Sequence, residues 1–224
     1  MNILVKFPTF NRPEKFFNTL YEYYKKADNW KDMKFLISID QTDITMNNQI
    51  IKNGVNTYPN TQLIVGNSKS KIDAINRDIQ MCDYKWDILL LASDDMVPVV
   101  KGYDTIIRNH MTEHFTDLDG VLWYNDGHTH DTLNTLCILG RAYYNRFNYI
   151  YYPEYKSVYA DNEFTQVSKI LGKCKYFNTT IIEHQHPDWG FGKNDIIHAQ
   201  NYKNVNNDKN LYEERLTINF GIKI

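Results

Sequence analysis

The segment WDILLLASDDMVP (86–98) runs an unbroken apolar stretch into Ser93, Asp94 and Asp95 and closes on Pro98. Adjacent carboxylates at the end of a buried strand repel one another and resist dehydration unless a cation or strong donors meet them. Mg²⁺ or Mn²⁺ suits such a place, because these ions take one or two carboxylates and complete their shell with water and phosphate oxygens. Asp-Asp is also an ordinary solvated turn, so the pair gains meaning from its companions. In IIEHQHPDWG (181–190), residues two apart on a strand point the same way. His184 and His186 then share a face that can ligate a metal or hold a diphosphate, with Glu183 and Gln185 on the other. YADNEF (159–164) sets Asp161 and Glu163 at a helix start. There an acid either serves the cap and dipole or takes a proton from a hydroxyl. DGHTHD (126–131) offers a rival histidine pair, His128 and His130, in a loop with Asp126.

The elements that position these groups follow from periodicity. ILVKF (3–7), MKFLISID (33–40), TQLIVG (61–66) and DILLLA (87–92) read as strands, the last apolar on both faces and therefore central. Between them, Pro13 opens a helix with Phe16, Phe17, Leu20 and Tyr24 on one face, and Ile50 and Ile51 mark a weaker helix stopping near Gly54. Ile72, Ile75, Ile79 and Cys82 keep helical spacing through 69–82. This alternation predicts an α/β fold with a mostly parallel sheet and helices on both faces. Beyond it, 120–126, 133–140 and 175–187 read as strands, 148–155 as an aromatic loop, and 161–172 as an amphipathic helix stopped by Gly172. The tail ends in LYEERLTINFGI (211–222), which reads as a last docked element. One compact domain is expected, divided near residue 115 into halves 1–115 and 116–224.

Composition narrows the partners. A formal charge of −2 over 224 residues gives no basic field to drive sequence-independent nucleic-acid binding. Cys82, Cys137 and Cys174 are odd in number and widely spaced, against a disulfide framework or a four-thiolate zinc site. No apolar run reaches the ~20 residues of a membrane helix, and the N-terminal run is too short for a signal peptide. A cytoplasmic protein without membrane contact is expected.

VKFPTFNRPEKF at the first strand, Asp40 closing the second, KSKIDAINRDI after the third and LLLASDDMVP at the fourth stand in an order that resembles GT-A fold glycosyltransferases of the family 2 type. The resemblance covers 1–110 and extends more loosely to about 195. It implies transfer of a sugar from a nucleoside diphosphate donor, a UDP-sugar first, to a hydroxyl acceptor, with Mn²⁺ or Mg²⁺ as cofactor and inversion as the default outcome. The turn Pro8, Thr9, Asn11 and Arg12, with Asp40, inherits the nucleotide. Lys71, Asn76 and Arg77 are placed over base and phosphates. Ser93, Asp94 and Asp95 stand where the family has Asp-x-Asp, so the first acid is replaced by a serine. Asp95 is the leading metal ligand, and Asp94 goes to the ribose or to water on the ion. A late histidine completes the metal site, His186 first and His184 as its neighbour or a phosphate donor. The family's acidic segment, usually Glu-Asp, reads Asp161-Asn162-Glu163 here, with Asp161 the preferred base and Glu163 the alternative or an acceptor contact. The ending EHQHPDWG is also similar to small stand-alone phage-type enzymes. That makes a hydroxylated DNA base a second acceptor beside a saccharide, and the host cytoplasm the setting. Trp123, Tyr124 and Trp189 are acceptor-side aromatics.

Three rivals stand beside this reading. Nucleotidyl transfer uses related sheets, but FPTFNRPEKF lacks the glycines of a phosphate loop. A metal-dependent hydrolase would centre on His128, His130, His184 and His186. A non-catalytic nucleotide-sugar-binding module would keep the pocket and consume nothing.

Overall fold

The computed structural model describes residues 1–186, 189–191 and 204–222. Strands β1 (Ile3–Pro8), β2 (Met33–Asp40), β3 (Thr61–Gly66) and β4 (Ile88–Leu91) form the parallel part of a seven-stranded sheet. With β6 (Val121–Tyr124), β7 (Ile138–Gly140) and β8 (Cys174–Phe177), its order is β3-β2-β1-β4-β7-β6-β8. Only β7 runs against the others, pairing antiparallel with both β4 and β6. The sheet therefore continues without interruption through residue 115.

Alternation along the strands fills both faces. Ile3, Val5 and Phe7 pack with Phe16, Leu20 and Tyr23 of α1 (Pro13–Lys26) and with Tyr103, Ile107 and Met111 of α4 (Tyr103–His114). Leu4, Leu36, Leu89 and Leu91 face the other way, onto Ile72 and Ile75 of α3 (Lys71–Asn76) and Phe164 of α6 (Ala160–Ile170). Each such fully buried side chain contributes roughly 1.5–3 kcal/mol, which is why these strands tolerate no polar interruption without a partner. Lys6 is the exception, buried on β1, its ammonium donating to Ser38 Oγ and lying 3.9 Å from Asp78.

That buried charge explains the first departure from the sequence pattern. The helical spacing over 69–82 predicts one helix, but α3 ends at Asn76 and a 3-10 turn follows at Ile79–Met81. Asp78 breaks the run with φ 73°, turning its carboxylate inward to accept from Ser38 Oγ (2.6 Å) and Arg77 Nη1 (2.7 Å). The predicted strand 133–140 shrinks to β7, because Thr135 donates to Asp126 (2.6 Å) and Asn134 N–H to Thr165 Oγ1 (3.0 Å) instead of joining a ladder. The predicted strand 175–187 divides into β8 and β9 (Ile182–His184), which belong to different sheets. The helix α2 (Gln49–Asn56) continues past Gly54. Two helices went unread, α4 and α5 (Arg141–Phe147).

β9 pairs antiparallel with β5 (Met96–Pro98), setting His184 opposite Met96. This two-stranded ribbon is what brings the second half of the chain onto the end of β4. Among the described residues no helix is long and apolar enough to cross a membrane, and Cys82, Cys137 and Cys174 are all unpaired.

Candidate active site

The carboxyl ends of β1, β2 and β4 meet where β1 lies between β2 and β4, with connections leaving in opposite directions, the place where open α/β sheets bind ligands. A cleft of about 710 Å³ opens there. It is lined by Pro8, Thr9, Arg12, Asp40, Lys71, Ser93, Asp94 and Asp95 from one side, and by Thr135, Tyr151, Ser157–Asn162, His184 and His186 from the other.

Each side chain has a local reason for its place. After β1 the chain turns through Asn11, whose φ of 57° is held by its N–H donating to Asp43 Oδ2 (2.6 Å) and its side-chain oxygen accepting from Thr45 (3.0 Å). Arg12 then precedes Pro13 at the start of α1 and reaches Asp94 Oδ1 at 3.2 Å. Thr9 is buried and its hydroxyl has no hydrogen-bond partner among the described residues. Asp40 accepts the Ser68 N–H at 2.8 Å, joining the ends of β2 and β3. Ser70 caps α3 by accepting from Asp73 N–H (3.1 Å), which sets Lys71 at the cleft wall.

The carboxylates differ sharply. Ser93 donates to Asp95, and Gln185 N–H bonds the Asp95 carbonyl at 2.7 Å. Burial alone would raise the Asp95 pKa, but His184, the Ser93 hydroxyl and Lys71 outweigh it and hold the group well below the usual carboxylate range. Asp94 goes the other way. Burial and the adjacent Asp95 charge overcome Arg12 and push it up to about 6. A carboxyl raised in the native state adds stability that is complete below its unfolded pKa of about 3.8 and lost as pH rises through about 6. In EDTA-containing buffer at pH 7.5, Asp94→Asn should therefore melt above wild type, by on the order of 3 kcal/mol at most. The gap should narrow toward pH 4, and equal melting temperatures at both pH values would contradict this.

Asp161 stands in the first turn of α6, across the cleft. Its pKa is raised, because burial exceeds the pull of Lys71 and His184 and the Asn162 N–H that it accepts at 3.0 Å. Lys71 and His184 thus act on both Asp95 and Asp161.

His184 Nε2 lies 3.7 Å from Asp95 Oδ2, and Nδ1 lies 3.9 Å from Asp126 Oδ2. Neither is a hydrogen bond, and Nδ1 is buried with no partner among the described residues. At 3.7 Å an oxygen and a nitrogen with no hydrogen bond between them stand near enough to face one cation. His186 lines the cleft beside them, its ring centroid 5.4 Å from that of His184. Among the described residues no group of three His, Cys, Asp or Glu is gathered to hold a metal. Asp95 and His184 are the two side chains here that could offer an oxygen and a nitrogen to one cation, with its other positions left to water and substrate.

Of the residues assigned to the nucleotide, the ion or the base, four lie outside the cleft lining. Asn11 shapes the β1–α1 turn as above. Asn76 accepts from the N–H groups of Ile150 and Tyr151 (2.9 and 3.1 Å) and donates to Tyr151 O (2.6 Å), anchoring the aromatic loop. Arg77 donates to Ser68 Oγ (2.9 Å), Asp78 (2.7 Å) and Ile39 O (2.8 Å), bracing the loop that leads into Lys71 and α3. Glu163 is buried under Arg215 (2.6 and 2.7 Å) and accepts from Tyr155 OH (2.9 Å). His128 stacks on Trp189 (4.4 Å between centroids) and His130 bonds Asn125 (3.1 Å), so these two do not converge with His184 and His186 on one point. Trp123 and Tyr124 are core residues of β6.

Sequence reasoning missed Tyr151, Ser157 and Thr135, which line the cleft from segments without periodicity. It also missed Asp126 as an organiser. Buried behind His184, Asp126 accepts from His128 N–H, Thr129 N–H, Thr129 Oγ1 and Thr135 Oγ1.

No protein-family model and no curated protein matches the chain. Solved structures do. The mannosyltransferase PcManGT from Pyrobaculum calidifontis, in complex with GDP-Man and Mn²⁺, is 10% identical with a TM-score of 0.68, over 85% of this chain and 58% of that one. S. aureus TarS 1–349 in complex with UDP-GlcNAc is 19% identical with a TM-score of 0.62, over 82% of this chain and 58% of that one. The chain thus spans less than two thirds of the length of either. At such identities the likeness establishes architecture, and that architecture is the GT-A fold.

Proposed function

We propose that the chain is a glycosyltransferase moving a sugar from a nucleoside diphosphate donor, a UDP-sugar first, to a hydroxyl acceptor with inversion. The observation that carries this is the pairing, across one cleft, of Asp95 and His184 at the carboxyl end of the sheet with the buried Asp161 carboxyl opposite. Residues 1–115 bind the donor, and 116–224 supply the acceptor side and the base.

Asp40 and Thr9 receive the nucleoside, and Lys71 and Arg12 face the diphosphate with fixed positive charge. Asp95 and His184, with His186 alongside, hold Mn²⁺ or Mg²⁺, which when bound supplies positive charge against the leaving diphosphate. Asp161 accepts the proton of the acceptor hydroxyl as its oxygen bonds to the anomeric carbon. The bond from that carbon to the diphosphate oxygen breaks, and the nucleoside diphosphate departs with the electron pair. A raised carboxyl pKa suits that task, since it makes Asp161 a stronger base than an exposed aspartate. The acceptor is a saccharide or a hydroxylated base in DNA. A cytoplasmic setting agrees with three unpaired thiols.

A melting screen tests the reading with UDP-glucose, UDP-galactose, UDP-N-acetylglucosamine and GDP-mannose, each with Mn²⁺ or EDTA. At 100 times Kd a ligand adds about 2.7 kcal/mol, so the true donor should raise Tm by roughly 5–10 °C for a chain of this size, and only with the ion. No shift from any of the four would remove the reading.

A further inference from the structure

The last helix, α7 (Val205–Thr217), contributes no residue to the cleft lining, yet its buried Asp208 and partly buried Arg215 end on the segments that flank Asp161. Asp208 is 2% exposed and accepts three successive backbone N–H groups, from Lys156 (2.9 Å), Ser157 (2.8 Å) and Val158 (3.0 Å). Amides converging on one carboxylate form a nest that fixes their backbone, here in a stretch with no helix or strand of its own. Ser157, Val158 and Tyr159 line the cleft, and the buried Ser157 hydroxyl has no hydrogen-bond partner among the described residues. Tyr159, at φ 62°, turns the chain directly into α6 and Asp161. A non-glycine residue keeps that conformation when its surroundings impose it.

The second group acts one step farther along. Arg215 forks onto both oxygens of Glu163 (2.6 and 2.7 Å), donates to Phe220 O (3.0 Å), and lies 3.3 Å over the Tyr152 ring. Glu163 shares the first turn of α6 with Asp161. One helix thus grips the loop before Asp161 and the turn that contains it, through charges that have no contact with Asp40, Lys71, Asp94 or Asp95.

We propose that α7 sets the place of Ser157 and Asp161 in the cleft, with Asp208 and Arg215 as positioning residues for transfer, an inference that rests on the transferase reading above. Because Asp40, Lys71, Asp94 and Asp95 stand on the opposite wall, loosening this clamp spares donor binding and misplaces the acceptor side. A displacement of about 1 Å at reacting groups can cost 10²-fold in rate.

The experiment uses the full chain and whichever nucleotide-sugar of the four-member panel stabilises wild type most. Nucleotide release with Mn²⁺ gives kcat and donor KM, and circular dichroism gives the melting curve. Asp208→Asn and Arg215→Gln should each lower kcat at least 10-fold with donor KM within twofold. Arg215→Lys, which keeps the charge and loses the fork, should fall between Gln and wild type. Lys209→Ala, on the exposed side of the same helix, should match wild type. If Asp208→Asn does not fold, Arg215→Lys carries the test, through its kcat against its KM. Unchanged kcat in folded variants would overturn the inference while leaving the transferase reading intact. So would a loss of kcat no larger than the loss of folded protein. Wild type that releases no nucleotide from any panel member would defeat the reading and this inference together.

Discussion

Asp161→Asn is expected to remove transfer and leave donor binding untouched. The substitution keeps the size of the side chain and its place at the start of α6, so the hydrogen bond from Asn162 N–H and the burial around it persist. What disappears is the ability to hold a proton taken from the acceptor. General-base catalysis contributes roughly 10²–10⁴-fold, and kcat should drop by that factor with donor KM within twofold. In wild type the rate should fall as pH drops through the raised Asp161 pKa, a limb lying above the ordinary carboxylate range. The residual activity of the variant should lack that limb. A variant that loses donor affinity instead would show that Asp161 belongs to the donor wall.

Asp95→Asn should produce the opposite split. Asp95 stays ionised because His184 and Ser93 surround it, and it is one of the two groups near enough to face one cation. Neutralising it removes the anionic ligand and leaves the His184 ring without its charge partner. The Mn²⁺-dependent rise in melting temperature with donor should vanish. Meanwhile kcat/KM should fall by about 10³-fold, equivalent to about 4 kcal/mol of lost charge stabilisation. The shift that donor gives in EDTA should match that of wild type under the same conditions. An undiminished Mn²⁺ shift in Asp95→Asn would move the ion elsewhere.

Much of the donor wall was legible because each strand announces its own end. β2 and β3 carry the bounds read from their apolar runs, Asp40 closes β2, and Asp94 and Asp95 come shortly after β4. His184 and His186 were legible as a pair and both line the cleft, although β9 ends at His184 and the His186 N–H turns back onto the His184 carbonyl at 2.9 Å. The break in α3 was not legible. Nothing in the helical spacing of Ile72, Ile75 and Ile79 signals that Asp78 will leave the helix to meet Lys6, a residue over seventy positions away and itself hidden in an apolar run. β5 is too short to show a period, and its partner lies in a distant part of the chain. Asp208 and Arg215 sit in an Asn- and Lys-rich tail whose composition reads as solvated surface. Their burial comes from Ser157 and Glu163, about fifty residues earlier. Charges whose purpose is to meet another segment carry no local mark of it.

The ribbon between Met96–Pro98 and Ile182–His184 has a consequence for how the protein is made. A nascent chain that has emerged only through Asp95 carries both carboxylates but lacks the strand that pairs with β5 and the histidine that faces Asp95. On the transferase reading, a translation product ending between Phe177 and Ile182 would carry all seven strands of the main sheet, lack His184, and should give no transfer.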